Sequence, residues 1–197
     1  SPVADAGRGL HGVLRWVVDI SQWEPSDAAW EMLLEEIPEE DRKKVLRFKF
    51  KVDQKRALVS RLLQRRACSE TCGIPQAQVK IERTKGSKPF LANRPEALAQ
   101  GLPNWNYNVS HEGHFVALAA EPLVLCGVDV AAPGQVRGRN QTLEQFFTTM
   151  KSYFTPTEWA AIRQHGPDES AMEAMFRKHW SLKEAFTKAR GDGIAFE

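Results

Sequence analysis

The sequence predicts an α+β fold, on three observations. Residues 53–71 and 169–190 repeat apolar positions at helical spacing over several turns. Residues 104–109, 115–120 and 124–130 read as strands, the first alternating polar and apolar side chains at period two. Strands and helices mix without strict alternation, which favours α+β over a regular βα repeat.

In chain order, residues 14–20 are β-rich and roughly alternating, a first strand. Ser26 or Asp27 caps a helix to about Glu36, with Trp30, Leu33 and Leu34 inward. Pro38, followed by acids, opens a second helix toward Phe48. A third covers 53–71, with Leu58, Leu62 and Leu63 packed, Arg61, Arg65 and Arg66 facing water, and Gly73 as its stop. Residues 79–83 form a short strand before the loop T-K-G-S-K-P. Residues 94–103 make a polar connection to the three later strands. A loop rich in Gly, Arg and Gln follows Pro133, and helices start near Thr142, Pro156 and Glu169. Glu121 and Pro122 separate two halves, 1–122 and 123–197.

At 197 residues, with 42% hydrophobic and 26% charged side chains, the chain is long enough to bury a core and ordinary for a soluble globular protein. No apolar run approaches the roughly 20 residues of a membrane span, and no signal-peptide core precedes His11, so no membrane partner is expected. Cys68, Cys72 and Cys126 lack disulfide or zinc spacing and read as free thiols in a reducing compartment. The cytoplasm is expected, with a mitochondrial or plastid interior as the alternative. Charge is segregated: residues 24–41 hold eight acids and no Lys or Arg, and residues 42–66 hold eleven Lys or Arg and one acid, Asp53. Such blocks are usually solvated helix faces, yet one this dense also attracts phosphates or an acidic protein. A nucleic-acid-binding domain would use the same block, but no helix-turn-helix, zinc or RNA-binding motif accompanies it, so no nucleic-acid partner is expected.

Three short stretches carry the candidate chemistry. In W-S-L-K-E-A-F-T-K-A-R-G, Trp180, Glu184 and Lys188 fall one above another on a helix face, where Glu184 and Lys188 alone would be a surface ion pair. In G-V-D-V, Asp129 stands among valines, where a carboxylate is costly unless loop amides, a partner or a cation satisfy it. In N-V-S-H-E-G, His111 follows a strand. A zinc pair with His114 lacks the helical H-E-x-x-H spacing, and a hydrolase nucleophile at Ser110 lacks the G-x-S-x-G elbow, so a histidine beside a phosphate fits better. Arg83-Thr84-Lys85-Gly86-Ser87-Lys88 is a basic, glycine-bearing loop without Walker spacing; it is either a solvated turn or a holder of a nucleotide's terminal phosphate. Two carboxylates, a lysine and a histidine, with cations upstream, suit a divalent metal and a phosphorylated ligand.

The order N-V-S-H-E-G, G-V-D-V, W-S-L-K-E-A-F-T-K-A resembles the 4′-phosphopantetheinyl transferases of the larger, surfactin-synthetase-activating type. The wording of I-E-R-T-K-G-S-K-P-F-L resembles their eukaryotic branch, which contains the aminoadipate-semialdehyde-dehydrogenase phosphopantetheinyl transferases. The resemblance covers the chain from about Glu39 onward. It implies a pseudo-twofold pair of α/β halves with the ligand between them. The implied reaction moves the phosphopantetheine arm of coenzyme A to a serine of an acyl or peptidyl carrier domain, releasing adenosine 3′,5′-bisphosphate. By matched motif, Asp129 and Glu184 would hold magnesium, Lys188 would neutralise charge as the phosphoanhydride breaks, and Glu184 or a water would act as base. The stretch Asn108, Val109, Ser110 and His111 would contact the coenzyme, with His111 on a phosphate. Arg83, Thr84, Lys85, Gly86, Ser87 and Lys88 would surround the 3′-phosphate, with Lys44 as helper and Lys183 nearby. A monomer docking its carrier through Arg137 and Arg139 is expected. Ala131 stands where many bacterial relatives have a second acid, leaving a water as one metal ligand. The chain also stops at Glu197, where relatives continue with further strands, so an incomplete second half is expected. A catalytically silent module that binds coenzyme A or a carrier protein is the alternative.

Overall fold

The computed structural model describes residues 11–96, 101–134 and 141–191. Its centre is a three-stranded antiparallel sheet in the order β1, β5, β4, where β1 is Leu14–Asp19, β4 Asn106–Glu112 and β5 Phe115–Glu121. The middle strand, F-V-A-L-A-A-E, buries nearly every residue, because its neighbours pair both edges and helices cover one face. Edge strand β1 instead alternates half-buried and exposed residues.

Helices α1 (Asp27–Glu35), α2 (Glu39–Leu46) and α3 (Lys51–Cys72) precede a small hairpin of β2 (Ile81–Arg83) and β3 (Pro89–Leu91). Ser26 caps α1 by accepting the Ala29 N–H at 3.3 Å, and Gly73, left-handed at φ 65°, ends α3. One buried cluster joins α3 to the sheet and hairpin through Ala67, Cys68, Leu91, Trp105, Tyr107 and Leu118. A second joins α1, α2 and α3 through Trp30, Leu34, Val45 and Leu58. All three cysteines are free, two of them buried. No helix among the described residues is long and apolar enough to cross a membrane.

The later residues form α4 (Leu143–Thr149), α5 (Pro156–Arg163) and α6 (Glu169–Arg190). Capping boxes at Thr142 with Gln145 and Thr155 with Glu158 start the first two. An aromatic cluster of Phe146, Phe147, Phe154 and Phe176 with Trp159 and Trp180 locks α6 in rotation. Phe176 meets Phe146 edge-on at 4.8 Å and stacks on Trp180 at 6.3 Å. That packing fixes which way Glu184 and Lys188, one and two turns beyond Trp180, point.

Three expectations need correction. Residues 124–130 are not a strand: the segment is extended, but it meets side chains of β4 rather than a backbone ladder. Arg65 does not face water; it is 4% exposed, its guanidinium donating to the carbonyls of Val79, at 3.1 Å, and Gln76. Finally, the strand expected at 79–83 begins at Ile81, and its partner β3 was not foreseen.

Candidate active site

The site is built where 126–132 passes between β4 and α6. Glycine at 127 permits that approach, since a Cβ there would lie 1.9 Å from the Ala185 carbonyl oxygen and 2.7 Å from the Ala189 nitrogen. Two residues on, Asp129 has a side chain only 8% exposed. Its Oδ1 accepts Lys188 Nζ at 2.5 Å and Ser110 Oγ at 3.0 Å. Ser110 Oγ also accepts Lys188 Nζ at 2.9 Å and the Val130 N–H at 3.2 Å, which uses its one donor and both lone pairs. A carboxylate among apolar neighbours is thus satisfied by a lysine and a hydroxyl.

Three cavities meet at Lys188. One, of about 400 Å³, is lined by Ser110, His111, Glu112, Asp129, Glu184 and the apolar wall of Phe146, Phe176 and Trp180. Another, of about 340 Å³, runs along Arg83, Gly86, Ser87, Lys88, Asn108 and Val109 to Glu184 and Lys188. A third, of about 320 Å³, adds Phe48, Arg61 and Arg83 beside His111. Lys44 lines an adjoining cavity of about 250 Å³ that shares Arg61 and Arg83.

The cleft shifts two acid–base groups in opposite directions. Partial desolvation and the charge of Asp129 raise the Glu184 carboxyl above its usual range, against the opposing pull of Lys188. His111 is exposed at the cleft mouth, yet desolvation, Arg56 and Lys188 all hold its pKa below the ordinary value. Glu184 senses Asp129 and both line one cavity, so these are two carboxylates that could meet a cation there. Among the described residues, no group of three or more His, Cys, Asp or Glu side chains forms a fuller cage.

A family model described as "4′-phosphopantetheinyl transferase, N-terminal" matches residues 21–123, and one described as "4′-phosphopantetheinyl transferase superfamily" matches 125–197. The chain belongs to the 4′-phosphopantetheinyl transferases. It is 39% identical over 191 residues to the mouse L-aminoadipate-semialdehyde dehydrogenase-phosphopantetheinyl transferase, covering 95% of this chain and 59% of that protein. A phosphopantetheinyl transferase of Thraustochytrium is 39% identical over 185 residues, covering 92% and 62%. The Bacillus subtilis 4′-phosphopantetheinyl transferase is 27% identical over 158 residues, covering 79% and 61%. The chain therefore spans about three fifths of the length of these curated relatives.

The structure brings together Asn108, Val109, Ser110, His111, Asp129, Glu184 and Lys188 from three separate stretches. The basic loop arrives through its hairpin: Arg83 donates to the Ser87 carbonyl at 2.8 Å, and Thr84 and Lys85 stand exposed at the tip. Gly86 touches the end of α6, where a Cβ would overlap the Gly191 carbonyl at 1.6 Å. Lys88 is placed differently from the rest. Its ammonium sits on Asn106 Oδ1 at 3.2 Å and on the carbonyls of Cys126 and Ala189, both at 3.0 Å, so protein oxygens take all three of its donors. Lys183 pairs with Glu158 at 2.9 Å, on a neighbouring cavity that also takes in Glu184. Arg137 and Arg139 lie outside the described residues. Two further residues were not singled out from sequence. Arg56 donates to the Gly113 carbonyl at 2.8 Å beside His111, and Glu112 accepts the Ala132 N–H at 2.6 Å while lining the Asp129 cavity. The sequence signal for Glu112 was its place two residues after Ser110, on the same face of β4.

Proposed function

We propose that this protein transfers the 4′-phosphopantetheine group of coenzyme A to a serine of an acyl or peptidyl carrier domain. The observation that carries this reading is the meeting of Asp129, Glu184, Lys188, Ser110 and His111 at one confluence of cavities, in a chain of this family. In the reaction the serine oxygen bonds to the β-phosphorus while the phosphoanhydride bond breaks. Adenosine 3′,5′-bisphosphate leaves with the bridging electron pair. Phosphoryl transfer of this kind needs positioning and charge stabilisation more than covalent help from the protein.

Each residue has a defined task. Lys188 places an ammonium where charge builds on the departing phosphate. Glu184, its carboxylate made more basic by the cleft, accepts the serine proton directly or through a water. His111 donates from the mouth to a coenzyme phosphate, and the Arg83 loop, helped by Lys44, receives the adenosine 3′-phosphate. Asn108, Val109 and Ser110 form the wall along which the coenzyme lies. Asp129 and Glu184 suit magnesium, which takes one or two carboxylates beside phosphate oxygens and waters and would neutralise the pyrophosphate. We read the halves 1–122 and 123–197 as a pseudo-twofold pair, acting as a monomer in the cytoplasm without nucleic-acid or membrane partners. Arg137 and Arg139 are read as the carrier's docking loop.

The test is the mass shift of a carrier domain incubated with coenzyme A and magnesium. Asp129→Ala should abolish transfer with the circular dichroism of the wild type. Full activity of that variant at ordinary magnesium would overturn the assignment. Coenzyme A binding by the wild type without any mass shift would identify a silent module instead.

A further inference from the structure

We infer that Lys88 and Asn108 are positioning residues: with Asn106 they hold segment 126–132, and so Asp129, against Lys188, and they do not read the coenzyme's phosphate. This rests on the transferase reading above.

The segment is held by a ladder of side chains. Asn106 Oδ1 accepts the Cys126 N–H at 2.9 Å, and Asn108 Oδ1 accepts that of Val128 at 2.9 Å. Ser110 Oγ takes Val130 at 3.2 Å, and Glu112 Oε2 takes Ala132 at 2.6 Å. Acceptor and donor are always twenty residues apart. Alternate positions of a strand share one face, so the polar face of β4 meets alternate amides of an extended neighbour. Each rung is one side chain, and losing it strands a backbone N–H that folding has taken out of water. Asp129 lies between the second and third amides of this ladder.

Two lysines brace it, Lys88 at the Asn106 end and Lys188 at the Ser110 rung. Lys188 joins α6 to Ser110 and Asp129. Lys88 joins the hairpin to Asn106, to the Cys126 carbonyl, and to the Ala189 carbonyl, whose residue follows Lys188 directly. It thereby fixes the backbone that carries the reactive lysine. Desolvation, which lowers the Lys88 pKa, agrees with an ammonium enclosed by protein. The contacts of Gly86 with Gly191 and of Gly127 with α6 leave no room for these elements to drift together further.

The experiment compares Lys88→Met, Asn108→Leu and Arg83→Met in the full chain, with coenzyme A and dephospho-coenzyme A as substrates. For Lys88→Met and Asn108→Leu, kcat should fall about 10–100-fold with either substrate, because displacement of about an ångström at a reacting centre costs that much. For Lys88→Met KM should change little, and for both variants the preference for coenzyme A over its dephospho form should stay at the wild-type ratio. Arg83→Met should shrink that ratio, and Asn108→Asp, which keeps the acceptor, should restore most of the lost kcat. Collapse of the ratio in Lys88→Met would overturn the inference, as would an unchanged kcat. If Lys88→Met does not fold, Lys88→Arg replaces it under the same criteria. Amide hydrogen exchange of Cys126 and Val128 is read without turnover. Faster exchange in both variants supports the ladder, and wild-type protection overturns it. A wild type that transfers nothing fails the transferase reading alone and leaves the exchange measurement to decide this one.

Discussion

Replacing Lys188 by Met keeps a stem of similar length and removes the ammonium, which separates two jobs done by one charge. Lys188 Nζ is 2.5 Å from Asp129 Oδ1. At that distance Coulomb's law gives ~2–7 kcal/mol for effective dielectric constants from about 60 down to about 20. The lysine side chain is 32% exposed and the aspartate 8%, so the pair is neither a surface pair nor fully buried. Exposed pairs are worth below about 1 kcal/mol and breaking buried ones costs about 3–5, which places this loss at ~1–3 kcal/mol. In a domain of this size that lowers the melting temperature by roughly 2–12 °C. The same change frees Asp129 from its internal cation. Magnesium, titrated calorimetrically, should then bind more tightly, by about 5–150-fold if the whole pair energy is released. Transfer to a carrier domain should nevertheless fall by ~10²–10³, since charge on the departing phosphate loses its fixed cation. An unchanged melting temperature together with unchanged or weaker magnesium binding would refute the Lys188–Asp129 pairing.

Two further outcomes follow from the same geometry. Gly127→Ala places a methyl group against the α6 backbone at Ala185, so it should destabilise by about 1–3 kcal/mol and reduce transfer, because the segment bearing Asp129 must retreat; a wild-type melting curve would contradict the close approach. His111 should titrate in the free protein below 6.5, followed by its imidazole C–H resonances. The unfolded chain then binds the proton more readily, so this histidine's share of stability is present above 6.5 and lost as pH falls through the folded value. A midpoint at or above 6.5 would contradict the desolvated, cationic surroundings that the cleft, Arg56 and Lys188 supply.

Much of the fold could be read from the sequence, because the deciding interactions are local. The ends of α3 and α6 are set by Gly73 and Gly191, both left-handed, and the starts of α1, α4 and α5 by Ser26, Thr142 and Thr155. The pairing of β4 with β5 follows from an alternating stretch and an apolar one joined by a tight turn at Gly113, where φ is 57°. What could not be read is where polar groups find distant partners. The apolar run at 124–130 looks like a strand because periodicity reports which side chains are buried, and says nothing of what satisfies the amides. Here those acceptors are side chains twenty residues earlier, and Asn-x-Asn-x-Ser-x-Glu reads equally well as the solvated face of an edge strand. Arg65 was assigned to solvent by its helical position, yet the carbonyls of Gln76 and Val79 fold back over that face. Lys88 was grouped with its basic neighbours by proximity in sequence, and only the packed hairpin shows that its ammonium turns inward.

The opposite shifts of Glu184 and His111 have a common cause and a joint consequence. Both lie where the cleft withdraws water, so each is pushed toward its uncharged form, the acid upward and the base downward. Neighbouring charges reinforce both displacements, Asp129 on the carboxyl and Arg56 with Lys188 on the imidazole. A ligand that combines phosphate anions with a divalent cation supplies the missing opposite charge at each position. On the proposed reading a bound cation would lower the Glu184 pKa and the phosphates would raise that of His111, so binding would couple proton release at one group to uptake at the other. Lys188 shares their cavity and is paired with Asp129. On the proposed reading its ammonium would turn toward a phosphate as a cation satisfied that carboxylate, so the charge that assists departure would become available when the site is fully loaded.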